Sequence, residues 1–94
     1  MKKKIYKTTK KDFALFHDAV SECLSFFGIS EYETTVYHRK SPGARATCEV
    51  DSENMLCGIE FSTEWNYKPD KKEIQRCAFH EVCELMLYPL GDFL

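Results

Sequence analysis

The sequence has no apolar run approaching the ~18 residues that a membrane-spanning helix needs. Its basic opening, MKKKIYKTTKK, is not followed by an apolar stretch of signal-peptide length. Together these absences predict a cytoplasmic protein with no membrane association. No CxxC pair occurs, which argues against a zinc finger. No internal repeat and no low-complexity tract appears, so neither a repeat array nor a disordered chain is expected. The opening lysines come without an aromatic stacking or RNA-binding motif, and nucleic acid is not expected as a partner.

What is present fits one small globular domain, residues 1–94. A chain of this size buries roughly two thirds of its unfolded surface, enough for a single core. The composition is 44% hydrophobic, 14% aromatic and 30% charged, a globular balance. Net charge is −2, but it is unevenly spread: six of the 13 basic residues are Lys2, Lys3, Lys4, Lys7, Lys10 and Lys11. Residues 1–8 are expected as a flexible lysine-rich arm. Such an arm keeps a protein soluble, or touches phosphate backbones. Five cysteines, an odd number, point to reduced thiols.

The pattern along the chain predicts helix, three-stranded antiparallel sheet, helix: an α+β fold. Thr9 with Asp12 three residues later is an acidic form of the capping box. Phe13, Phe16, Val20, Leu24 and Phe27 then recur at spacings of three and four, the stripe of an amphipathic helix. Gly28 fits the left-handed position past its end. His17 beside this stripe reads as a partly buried structural histidine. ISEYETTVYHRK alternates in the manner of a strand, and SPG at 41–43 breaks it. ARATCEV and MLCGIEFS flank DSEN as a hairpin. A turn centred on Ser52 and Glu53 places Cys48 directly opposite Cys57, either as two small packed side chains or as a pair able to bind a metal or oxidise. Gly58 marks a possible bulge position in the second arm. TEWNYKPD reads as a polar connection. Asp70 and Glu73 form a second capping box, and the helix it starts is expected to stop at Pro89 and Gly91.

That last helix carries the chemistry. Ile74, Cys77, Ala78, Val82 and Leu85 form one stripe, while Phe79, Met86 and Leu87 lie elsewhere around it. Apolar residues over most of the circumference predict burial on more than one side. Yet His80, Glu81 and Glu84 stand in its middle, with Glu81 close to the stripe. An ionised carboxylate there is costly without a cation, a metal or hydrogen bonds. His80 and Glu84, four residues apart, project from one face and can supply two ligands to a zinc ion. Glu81, next to the first ligand, stands where a zinc hydrolase places the base that deprotonates water.

The segment AFHEVCELML resembles the active-site helix of the zincin metallopeptidases. Over residues 10–88 the element order is similar to that of small phage and prophage proteins with a SprT-like, minimal zincin architecture. By this resemblance His80 is the first metal ligand, Glu81 the general base, and Glu84 occupies the place of the second ligand histidine. The motif is thus HExxE rather than HExxH, and a carboxylate there changes site charge and metal preference. Zincins take a third ligand from beyond this helix. Asp92 is the downstream candidate, with His17 and His38 upstream.

Two functions follow as expectations. One is a zinc-dependent hydrolase of the peptidase type, with His80 and Glu84 on the metal and Glu81 as base, acting in the cytoplasm, that of the host if phage-encoded. The other is a non-catalytic phage protein that keeps the scaffold and binds a host or phage protein partner, or a second copy of itself, through a sheet edge or leftover apolar helix surface. Geometry discriminates between a metal site and an ordinary helix. A metal site needs His80 and Glu84 facing a cleft, with a third polar group converging within ~3 Å of a common point. An ordinary helix pairs Glu81 or Glu84 with an arginine or lysine.

Overall fold

In the computed structural model, residues 4–41 and 43–91 are described, with the side chains of the last helix as far as Tyr88. The order is β1 (Tyr6–Lys7), α1 (Lys10–Phe26), β2 (Glu33–His38), β3 (Ala46–Asp51), β4 (Leu56–Phe61), β5 (Glu64–Trp65) and α2 (Lys71–Gly91). The α+β class is as expected. No helix among the described residues is long and apolar enough to cross a membrane.

Both helix starts follow from their caps. Thr9 accepts from the Asp12 amide at 3.1 Å while the Asp12 carboxylate accepts from the Thr9 amide at 2.9 Å, a complete capping box. At the other end Gly28 takes φ +67°, and the Ile29 amide bonds the Leu24 carbonyl at 2.9 Å. These are the marks of a Schellman ending, which needs a residue free of Cβ strain. Asp70 accepts from the Glu73 amide at 2.9 Å and starts α2. The helix does not stop at Pro89 but runs on to Gly91. In a final turn a proline forfeits one backbone bond, which a helix end tolerates.

The sheet departs from expectation in topology. Its order is β2-β4-β3, with β4 parallel to β2 and antiparallel to β3. It is therefore mixed, not purely antiparallel. The connection at residues 39–45 carries the chain past one strand position, and β4 returns into the gap. Burial explains the arrangement. Cys57, Ile59 and Phe61 of β4 are all buried, so this strand gains most from neighbours on both sides. A second, two-stranded sheet pairs β1 with β5 antiparallel, Tyr6 opposite Trp65. Tyr6–Thr8, the end of the segment expected as an arm, is thus held against the domain. The Thr8 amide bonds the Thr63 carbonyl at 2.9 Å, and its hydroxyl donates to the Ser62 carbonyl at 2.8 Å.

The hairpin loop has the expected four residues but is shifted one position along the chain, to residues 52–55. Asp51 pairs with Leu56 across residues 52–55, and the Asp51 carboxylate accepts from the Asn54 amide at 3.2 Å. The register therefore sets Cys48 opposite Ile59 and Cys57 opposite Val50. The two cysteines are diagonal neighbours rather than direct partners, though on the same face. Gly58 sits in unbroken register with Thr35 and Glu49, so there is no bulge; a Cβ there would lie 3.5 Å from the Tyr37 ring.

The core joins the α1 stripe to β4 and α2: Phe16, Val20, Ile59, Phe61, Trp65, Ile74, Val82 and Leu85 are fully buried. Phe16 stacks on Phe61 with ring centroids 4.7 Å apart. α2 packs on α1 along one side and reaches β3 along another. His17, expected partly buried, is exposed beside Asp18.

Candidate metal centre

The buried stripe of α2 is the expected one: Ile74, Cys77, Ala78, Val82 and Leu85 all lie in the core. Phe79, Met86 and Leu87 are exposed, so although α2 packs on both α1 and β3, its apolar residues outside the stripe are left uncovered. His80, Glu81 and Glu84, between these two faces, line a cleft.

That cleft, of about 640 Å³, opens between α2, the edge strand β3 with the turn before it, and residues 64–67. Arg45, Cys48, Trp65 and Tyr67 line one wall; Arg76, Cys77, His80, Glu81 and Glu84 line the other. At one end the Arg45 guanidinium lies over the rings of Trp65 and Tyr67, 5.9 and 5.4 Å from their centroids. It also donates to the Tyr67 hydroxyl and, at 3.1 Å, to the Glu73 carboxylate. Arg76 reaches the other Glu73 oxygen at 3.4 Å. This end is electrically satisfied.

The other end is not. Nε2 of His80 lies 3.2 Å from Oε1 of Glu84. One ligand atom from each of His80, Glu81 and Glu84 falls within 4.8 Å of the others. The His80 and Glu84 side chains are 67% and 53% exposed, whereas Glu81 is only 4% exposed. Among the described residues no lysine or arginine forms an ion pair with Glu81 or Glu84. Burial, and then the Glu84 carboxylate beside it, push the Glu81 carboxyl up from its ordinary 4.5 to about 8. Two ligands held about 2.1 Å from one ion at a tetrahedral angle lie about 3.4 Å apart. The 3.2 Å between His80 and Glu84 matches that spacing. The donor set, one imidazole and carboxylates, fits zinc and equally manganese or iron.

The structure thus brings together the three residues expected to act: His80, Glu81 and Glu84. It does not bring the upstream histidines. Neither His17 nor His38 lines the cleft. Nε2 of His38 lies 2.8 Å from the Thr8 hydroxyl, whose one hydrogen goes to the Ser62 carbonyl, so the imidazole donates this bond. Its ring stacks on Phe13 at 5.0 Å, and burial lowers its pKa. Asp92 lies outside the described residues. Sequence reasoning missed the opposite wall. Trp65 and Tyr67 sit two apart in EWNY, the spacing that puts side chains on one face of an extended strand. The core position of Trp65 was hidden in an apparently polar connection.

Scans of the chain against family models, curated proteins and solved structures each return no match.

Proposed function

We propose that this protein is a zincin-like, metal-dependent hydrolase of the peptidase type, with His80 and Glu84 as metal ligands and Glu81 as general base. One observation carries the reading. A buried carboxylate and an imidazole–carboxylate pair converge in an open cleft, with no lysine or arginine among the described residues paired to them. A divalent cation held by His80 and Glu84 would supply Lewis-acid polarisation of water and of a substrate carbonyl. Glu81 takes the proton of the attacking water and passes it to the leaving amine. A carboxyl poised near neutral pH suits that work, since proton transfer is best served by a group titrating near the working pH. β3 is an edge strand along the cleft, so its free backbone groups can hold an extended peptide over the three residues. A cytoplasmic peptide or protein segment is the proposed substrate.

The test is metal content together with hydrolysis. Protein purified without a histidine tag or chelator is analysed for metals per chain, beside His80→Ala. The expected result is near-stoichiometric metal that His80→Ala loses. Cleavage of an unfolded protein substrate should fall at least ~10²-fold in Glu81→Gln, the usual scale for losing a general base. Hydrolysis that Glu81→Gln leaves unchanged overturns the reading.

The exposure of Phe79, Met86 and Leu87 on the outer side of α2 favours a second reading, a scaffold that binds a protein partner or a second copy of itself. A chain that carries no metal, but forms a dimer broken by Phe79→Asp and Leu87→Asp, would support it.

A further inference from the structure

The other wall of the cleft carries a second set of donor atoms, of different chemistry. Cys48 on β3 and Cys57 on β4 are diagonal neighbours whose sulfurs lie 3.6 Å apart. Neither is in a disulfide. A disulfide needs its sulfurs at about 2.05 Å, so oxidation would have to bring them closer, by side-chain rotation or a shift of backbone. A bridging ion needs no such movement. Two zinc–sulfur bonds of about 2.3 Å at a tetrahedral angle hold the sulfurs about 3.8 Å apart. The observed separation is close to that span. Access is also present: Cys48 is half-buried and lines the cleft, while Cys57 behind it is 3% exposed. The pair is therefore reached from the same opening as His80 and Glu84, past Cys48.

We propose that Cys48 and Cys57 form a bidentate thiolate site for a thiophilic divalent cation such as zinc or cadmium, distinct from the His80–Glu84 cluster across the cleft. Softness separates the two. Thiolates select thiophilic ions, whereas an imidazole with carboxylates also accepts hard ions such as manganese. The proton balance is simple: two thiols and one divalent cation give a dithiolate complex and two released protons. The contact between the two sulfurs, burial, and the Glu81 and Glu84 carboxylates across the cleft raise the Cys48 thiol, while the contact lowers that of Cys57.

The experiment is a cadmium titration of the reduced full-length protein, read by thiolate-to-cadmium charge-transfer absorption in the ultraviolet. The signal requires sulfur ligands, so carboxylate or imidazole binding does not produce it. The expected result is saturation at one equivalent, with the band lost in Cys48→Ser and in Cys57→Ser. It should persist in His80→Ala and in Cys23→Ser. No band in the wild type, or a band that survives Cys48→Ser, overturns the proposal. Because Cys57 is buried, circular dichroism checks each fold; if Cys57→Ser unfolds, the half-buried Cys48→Ser decides alone. Loss of hydrolysis in Glu81→Gln, or its absence altogether, leaves this result untouched.

Discussion

Glu73 and Glu81 stand on the same helix, eight residues or about two turns apart: Glu81 lines the cleft, and Glu73 lies just beyond its other end, paired with the two arginines there. Glu73 is met by Arg45 from the facing wall and by Arg76 from the next turn. Glu81 is met by another carboxylate and by apolar neighbours, and its pKa rises to about 8. The protein has arginines to spend on this cleft and places both at the end with the less buried acid. The comparison teaches where an external cation has something to offset. It would be redundant at Glu73, whereas at Glu81 and Glu84 it would relieve both the burial penalty and the mutual repulsion.

Metal addition is the sharpest test of that contrast. In a Cys48→Ser chain, which removes the thiolate pair, zinc at a hundred times its dissociation constant should stabilise the fold by about 2.7 kcal/mol. Thermal denaturation with and without zinc reads this, and His80→Ala should erase the shift. An equal shift in His80→Ala would put the ion elsewhere.

The next effect needs no metal. Between pH 4.5 and about 8 the unfolded chain has released the Glu81 proton while the folded chain retains it. Stability from this group is therefore full below pH 4.5 and declines as pH rises towards 8. Glu81→Gln should flatten that decline and leave the metal-free protein about 2 kcal/mol more stable than wild type at pH 8.5. Urea unfolding across the pH range measures it. A wild-type profile with no downward slope would mean that Glu81 finds a cation in solution.

The same change at the satisfied end should have the opposite sign. Glu73→Gln strips both arginines of their partner and should cost about 1 kcal/mol at neutral pH, measured by the same unfolding. Arg76→Ala removes only an exposed partner one turn away and should cost less than about 0.5 kcal/mol. If Glu73→Gln were stabilising, the two ends of the cleft would not differ in kind.

Local signals in the sequence were readable wherever one element answered for itself. Thr9 with Asp12, Gly28, and Asp70 ahead of Glu73 set helix boundaries through bonds made within a few residues. The stripe from Ile74 to Leu85 names the core face of α2, and the i,i+4 spacing of His80 and Glu84 names the candidate site. What was not readable depends on partners distant in sequence. The parallel pairing of β2 with β4 is decided by the burial of Cys57, Ile59 and Phe61 in competition with other lanes, and alternation is the same for either direction. The exposure of Phe79 and Leu87 depends on how much of α2 its neighbours cover. The offset between Cys48 and Cys57 came from a four-residue loop shifted by one position, with Asp51 still paired in β3 and Met55 at φ 55° closing the turn. Arg45 was visible as a cation, but only the folded cleft shows that it serves Glu73.

The position of β4 also sets an order of assembly. Its bond to β3 closes a short local loop, which is fast to form, whereas its bond to β2 waits for distant segments to meet. The β3–β4 hairpin is therefore the natural seed, with β2 added as the last lane. Pulse-labelled hydrogen exchange should find the Gly58 and Glu49 amides, which face each other across β3 and β4, protected before those of Thr35 and Tyr37, which face β4 from β2. The edge strand that lines the cleft, β3, would then be among the first pieces laid down, and the cleft's wall would exist before the sheet behind it is complete.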